Sequence, residues 1–245
     1  MTSTLQRNRV GTKSEEFNAW MDDLVSGRPL VSGDPRDNDS EAGTTKTQSE
    51  LLLARTESSL AVQSVLQTLV RADPSALKSL SKLPSGVDSA VWQSEHLRLF
   101  VLELNQLVAL LLQDNECSPA NGAPECVEMK AGEWQYLCAA HPSPMPCSAI
   151  DYMIHTLDGA TALLNSTKFF PSRVTIPSTS HKHFASLARR LYRVFAHAWF
   201  HHRAVFDAFE NETCLYKRFL YLTTIEFELI PEKLITIPQV FDFAE

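Results

Sequence analysis

The chain has 245 residues, 44% hydrophobic and 21% charged, which is enough apolar material for one large domain or two small ones. Its formal net charge of -7 argues against a general binder of the nucleic-acid phosphate backbone, which would show a basic field. Met1 to Arg9 lacks the apolar core of a signal peptide. The best hydrophobic run, Leu97 to Leu112, is interrupted by Arg98, Glu103, Asn105 and Gln106, which a lipid-spanning helix rarely carries.

These features, with an odd count of five cysteines, describe a soluble protein of a reducing compartment. The glycosylation sequons at Asn38, Asn165 and Asn211 are then chance matches. Residues 1–56 read as a largely disordered extension, since Ser26 to Thr47 is rich in Gly, Ser, Thr, Asp and Pro. Within it a short segment, residues 5–20, carries Phe17 and Trp20 and is expected to dock on the body or on a partner. Arg7, Arg9 and Lys13 beside these aromatics are thin grounds for membrane anchoring.

From Ser58 the pattern turns helical. Ser59 is placed to cap a helix through Val62, Val65, Leu66, Leu69 and Val70 that stops before Pro74. Pro84 to Asp88 reads as a loop, and Trp92 to Leu112 as a central helix with a broad apolar face. Residues 115–147 break the periodicity with four Cys and five Pro, and Trp134 to Cys138 reads as a short strand. Ser148 caps the next helix, Ile150 to about Asn165. A long helical pattern spans about His183 to Phe209, a last helix covers Leu215 to Glu226, and Pro231 to Glu245 reads as extended.

Strings across nearly the whole chain resemble the Mob family, and within it the phocein branch. They include Arg7-Asn-Arg-Val-Gly-Thr-Lys13, Glu95-His-Leu-Arg98, Leu102-Glu-Leu-Asn105, Leu137-Cys-Ala-Ala-His141, His155-Thr-Leu-Asp-Gly-Ala160, Phe170-Pro-Ser-Arg-Val174, Phe200-His-His-Arg203 and Glu210-Asn-Glu-Thr213. Two departures stand out: an insertion of roughly Met21 to Thr56, and a longer loop between Cys117 and Cys126 than the family's usual spacing. The resemblance implies a mostly α fold, a Mob-type helical bundle with a zinc-braced irregular insert and a short β-hairpin. It implies a Mob/phocein domain over residues 57–238, followed by a tail at 239–245. It further implies no enzymatic activity and an adaptor role beside kinases and phosphatases. The partners implied are a striatin-like scaffold, phosphatase 2A subunits and Ste20-type kinases. A cytoplasmic location follows, peripheral at the Golgi or other internal membranes, with a link to vesicle traffic.

Cys117 and Cys126, with His197, His201 and His202 some seventy residues later, hold the donors that a closed tetrahedral zinc site needs. The step between the two cysteines exceeds a zinc finger's usual spacer, so the pair alone is a weak signal. At about 100° per residue, His197 and His201 lie about 40° apart on a straight helix, and His197 and His202 about 140°. Helix geometry thus favours the first pair. The family pattern favours the second, and a five-residue step aligns if the helix loosens into a π-bulge or ends there. His202 also falls on the apolar face with Leu187, Leu191, Val194, Ala198, Val205 and Phe209, whereas His201 falls on the polar side. The resemblance therefore implies structural Zn2+ on Cys117, Cys126, His197 and His202. The plain alternative is a hydrogen-bonded core histidine beside ordinary buried cysteines. A rival set, Cys138, His141 and Cys147, has plausible Cys-x-x-His spacing, but Cys138 alternates within a strand-like run and reads more simply as packing.

Arg189, Arg190 and Arg193 lie one to two turns before His197. Taken alone they read as a solvated face. In the family these positions carry Lys or Arg that bind phosphorylated peptides, which implies phosphopeptide docking here through bidentate guanidinium contacts. His181, Lys182 and His183 extend the patch. The competing function is a zinc-dependent hydrolase on His197, His201 and His202. It lacks a His-Glu-x-x-His motif, and Asp207 is poorly placed as its base.

Overall fold

Apolar side chains spaced three and four residues apart organise most of the described residues into helices that bury those faces against one another. The computed structural model describes residues 60–113, 117 and 126–238; the extension 1–56, its insertion and the tail 239–245 fall outside these.

Helix α1, Ala61–Ala72, buries Val65, Leu66, Leu69 and Val70. Its expected cap, Ser59, lies outside the described residues. A five-residue helix, α2 (Leu77–Ser81), follows; it is too short for periodicity to reveal. Its Ser81 carbonyl accepts the indole N–H of Trp92 at 3.0 Å. Helix α3, Ser89–Gln113, starts where the Asp88 carboxylate accepts the Val91 N–H at 3.0 Å. It is the central helix expected, with Leu97, Leu104, Leu107 and Leu111 fully buried, although Leu102, Leu110 and Leu112 lie on a solvent-facing stripe.

The insert contributes a minimal antiparallel hairpin, β1 (Lys130–Ala131) with β2 (Trp134–Gln135). Gly132, at φ 56°, supplies the positive φ that a two-residue hairpin turn requires. The strand read over Trp134 to Cys138 is thus shorter than expected, and Cys138 instead forms an isolated bridge with Met145. Helix α4, Ala149–Leu164, is capped by Ser148, whose hydroxyl accepts the Asp151 N–H at 3.1 Å.

The long helix expected from about His183 to Phe209 is two helices. Helix α5 runs Lys182–His201 and α6 runs Arg203–Thr213, with His202 at φ -135°, ψ 49° between them. A left-handed Cys214 (φ 49°) separates α6 from α7, Leu215–Leu220, which continues into a π-helical turn, Tyr221–Glu226. The segment after Pro231 is not wholly extended, since Glu232–Leu234 forms a 3-10 turn.

Helix α3 packs against α1, α4, α5, α6 and α7. Ring centroids of Phe100 and Phe219 lie 5.3 Å apart, of Phe195 and Phe219 4.9 Å, and of Phe195 and Tyr216 5.3 Å, which binds α3, α5 and α7 into one aromatic core. Buried charges stitch the helices together. Glu95 on α3 pairs with Arg173 (3.2 Å) and Arg98 (3.4 Å), and Arg98 reaches on to Asn165 (2.7 Å) and the Leu164 carbonyl at the end of α4. Glu103 pairs with Arg218 at 2.6 Å. Among the described residues, no helix is long and apolar enough to cross a membrane.

Candidate metal centre

The break at His202 decides the site. In a continuous helix, His197 and His202 would point about 140° apart. Ending α5 at His201 rotates the His202 backbone out of helical geometry, and its ring comes back beside His197, with centroids 5.1 Å apart. Of the two routes by which a five-residue step aligns, the chain uses a helix end rather than a π-bulge.

Cys117, Cys126, His197 and His202 all lie within the core, and their ligand atoms lie within 4.8 Å of one another. His197 Nε2 is 3.4 Å from Cys117 Sγ and 3.9 Å from Cys126 Sγ, and His202 Nε2 is 3.3 Å from Cys126 Sγ. Zinc bound tetrahedrally at its usual bond lengths sets neighbouring N and S ligands about 3.6 Å apart. The three separations surround that edge, so the donor set suits the ion in residue type and spacing. The His201 ring lies tilted beside that of His197, with centroids 4.9 Å apart, but it is not part of the converging set.

A detail that spacing could not supply fixes the tautomer. His197 Nδ1 lies 2.6 Å from the Lys130 carbonyl of β1. Donation of the Nδ1 proton to that oxygen leaves the Nε2 lone pair facing the sulfurs, the arrangement that orients metal-bound imidazoles. Burial holds the His197 imidazole neutral, its pKa lowered to about 3, and burial together with the neighbouring Cys126 pushes the Cys117 thiol well up. Neutral imidazole is the form a metal takes. The thiol by itself resists ionisation, and a divalent cation is the group that would reverse this.

The arginines of α5 divide. Arg189 and Arg190 are exposed, whereas Arg193 is half-buried. Arg193 donates to the Tyr152 hydroxyl at 2.6 Å and lies over the Tyr136 ring, 4.7 Å from its centroid. His181 and Lys182 are exposed at the start of α5, and the ring of half-buried His183 meets Phe169 edge-on. Asp207, the base a hydrolase would need, is engaged by Arg203 at 2.7 Å on the surface of α6.

A family model described as Mob1/phocein matches residues 68–238. MOB kinase activator-like 4 of Drosophila melanogaster is 42% identical over 97% of this chain and 91% of its own length. The MOB-like protein phocein of Caenorhabditis elegans is 41% identical over 96% of this chain and 90% of its own. MOB kinase activator 3C of Homo sapiens is 29% identical over 64% of this chain and 74% of its own. The names of these relatives are those of kinase activators and of phocein. The match over most of the helical body, with near full-length identity to two relatives, makes the chain a member of the Mob1/phocein family.

Proposed function

We propose that the protein is a non-catalytic, zinc-stabilised adaptor that regulates kinases by holding them beside other proteins. The observation that carries this reading is the closed donor set. Two thiols and two imidazoles, all buried, supply four ligands and leave no coordination position for a substrate. Zinc there ties Cys117 and Cys126 to the end of α5, and the same helix carries Arg189, Arg190 and Arg193 one to two turns earlier. The metal braces the docking helix and leaves the chemistry to the partners. The hydrolase reading loses its base to the Arg203–Asp207 pair, and its third histidine, His201, stands outside the converging donor set.

The docking face would take a phosphoserine or phosphothreonine on Arg189 and Arg190, with Arg193 held in place by Tyr136 and Tyr152. Kinase partners follow from the relatives' names. The finer assignment is an assembly of the striatin-interacting type, with a striatin-like scaffold, phosphatase 2A subunits, Ste20-type kinases and a role in vesicle traffic. Affinity purification of the intact chain with mass spectrometry tests it. Recovery of a striatin-like scaffold with phosphatase and kinase subunits supports the assignment. Recovery of nuclear-Dbf2-type kinases alone moves the protein to another Mob branch, and recovery of no kinase overturns the adaptor reading.

A further inference from the structure

The loop after the hairpin poses a packing problem. From Ala139 to Pro146 every side chain is exposed except His141, which is half-buried. A segment with three prolines and no apolar anchor gains no burial to offset the entropy lost in ordering it. Its stem is paired through the backbone: Cys138 and Met145 exchange N–H···O bonds of 2.8 and 3.2 Å, and the Met129 N–H donates to the Cys147 carbonyl at 3.0 Å.

At that stem four donors converge. Cys138 opens the loop, His141 lies within it, Cys147 closes it, and His155 comes from the second turn of α4. His141 Nε2 is 2.9 Å from Cys147 Sγ, and His155 Nδ1 is 3.6 Å from Cys138 Sγ and 3.9 Å from Cys147 Sγ. All four ligand atoms lie within 4.8 Å of one another. These separations surround the edge of about 3.6 Å expected between N and S ligands of tetrahedral zinc. Packing accounts for Cys138, which is buried, but not for the rest. His141, Cys147 and His155 are only half-buried, so burial supplies no reason for two imidazoles to face two thiols. The rings of His141 and His155 meet nearly edge-on at 5.1 Å, each turning a nitrogen toward sulfur.

We propose that Cys138, His141, Cys147 and His155 bind a second zinc ion, and that this outer ion is the more exchangeable of the two. The ion would staple an otherwise unanchored loop to α4, the helix whose Tyr152 receives Arg193. Exchange follows from exposure. The inner set is buried at all four ligands and opens only with the helical core, whereas three outer ligands touch solvent and two flank a surface loop. The outer site stands on its own geometry, whether or not the inner set binds metal.

The test uses the full chain with zinc bound. Elemental analysis is expected to give two zinc per chain, falling to one in both His155→Ala and Cys147→Ser. Release into a chromophoric chelator is expected in two phases. Thiol alkylation followed by mass spectrometry during release assigns them without any variant, with Cys138 and Cys147 labelled in the fast phase and Cys117 and Cys126 in the slow one. A single zinc whose removal exposes only Cys117 and Cys126 overturns the second site. A single zinc whose removal exposes only Cys138 and Cys147 supports the second site and defeats the inner one. Two zinc ions released in the opposite order overturn the ranking.

Discussion

At the scale of residues, one backbone break separates two histidines that look interchangeable. His201 completes α5 and His202 leaves it, and only His202 brings Nε2 to Cys126. His202→Ala is therefore expected to remove the inner zinc, and His201→Ala to retain it with a stability change below about 1 kcal/mol, read by elemental analysis and thermal melting. Cys126→Ser is expected to cost at least about 3 kcal/mol, because loss of a structural metal removes folding free energy directly. Phosphopeptide binding should fall with it; a Cys126→Ser protein that keeps its metal and melting temperature would sink the ligand assignment. The arginines split in the same way. Arg189→Ala and Arg190→Ala should each weaken a phosphothreonine peptide by about tenfold in fluorescence polarisation while leaving the melt unchanged. Arg193→Ala should lower both, since it also empties the space between Tyr136 and Tyr152.

At the scale of elements, the helices are joined by buried charges that terminate or start them. The Glu210 carboxylate accepts the Tyr216 and Lys217 N–H groups at 2.7 and 3.0 Å, capping α7 across the left-handed Cys214. Glu210→Ala should cost about 1–2 kcal/mol in urea denaturation, mostly by leaving those donors unmet. Glu95 gives a pH signature. Burial raises its carboxyl pKa despite opposing Arg173 and Arg98, so the folded chain binds this proton more tightly than the unfolded one. The stability it adds is fully present below the ordinary carboxylate range and is lost as pH rises through the raised folded value. The cost of Glu95→Gln should therefore shrink as pH rises above the ordinary carboxylate range in paired denaturation curves; a cost that grows with pH would mean the arginines outweigh burial.

At the scale of the whole molecule, the proposed inner zinc would bridge elements distant in sequence, so chelation should act globally. Stripping zinc at neutral pH is expected to lower the melting temperature by about 6–12 °C, since each kcal/mol is worth about 2–4 °C at this size, and re-addition should restore it. Much of this organisation is legible in the chain. The spacing of Leu97, Phe100, Leu104, Leu107 and Leu111 reveals the central helix because burial on a helix repeats with the turn. Several cross-braces use residues of the Mob-like strings: Glu95 with Arg98 and Arg173, and Glu103, whose partner Arg218 lies outside them. The residue types of the inner donors are also legible, but helix geometry alone favours His201, and it is the family resemblance with the apolar face that points to His202. What only the tertiary structure decided is direction. Local periodicity extends a helix through His202 because Ala, Val and Phe continue the pattern, and nothing local announces a break whose benefit lies in the distant Cys126. For the same reason Cys138 reads as packing until α4 brings His155 to it, and Arg193 reads as solvated until Tyr136 and Tyr152 enclose it. Sequence determined which groups are present; the long-range contacts that stabilise one set of backbone angles over another determined where they point.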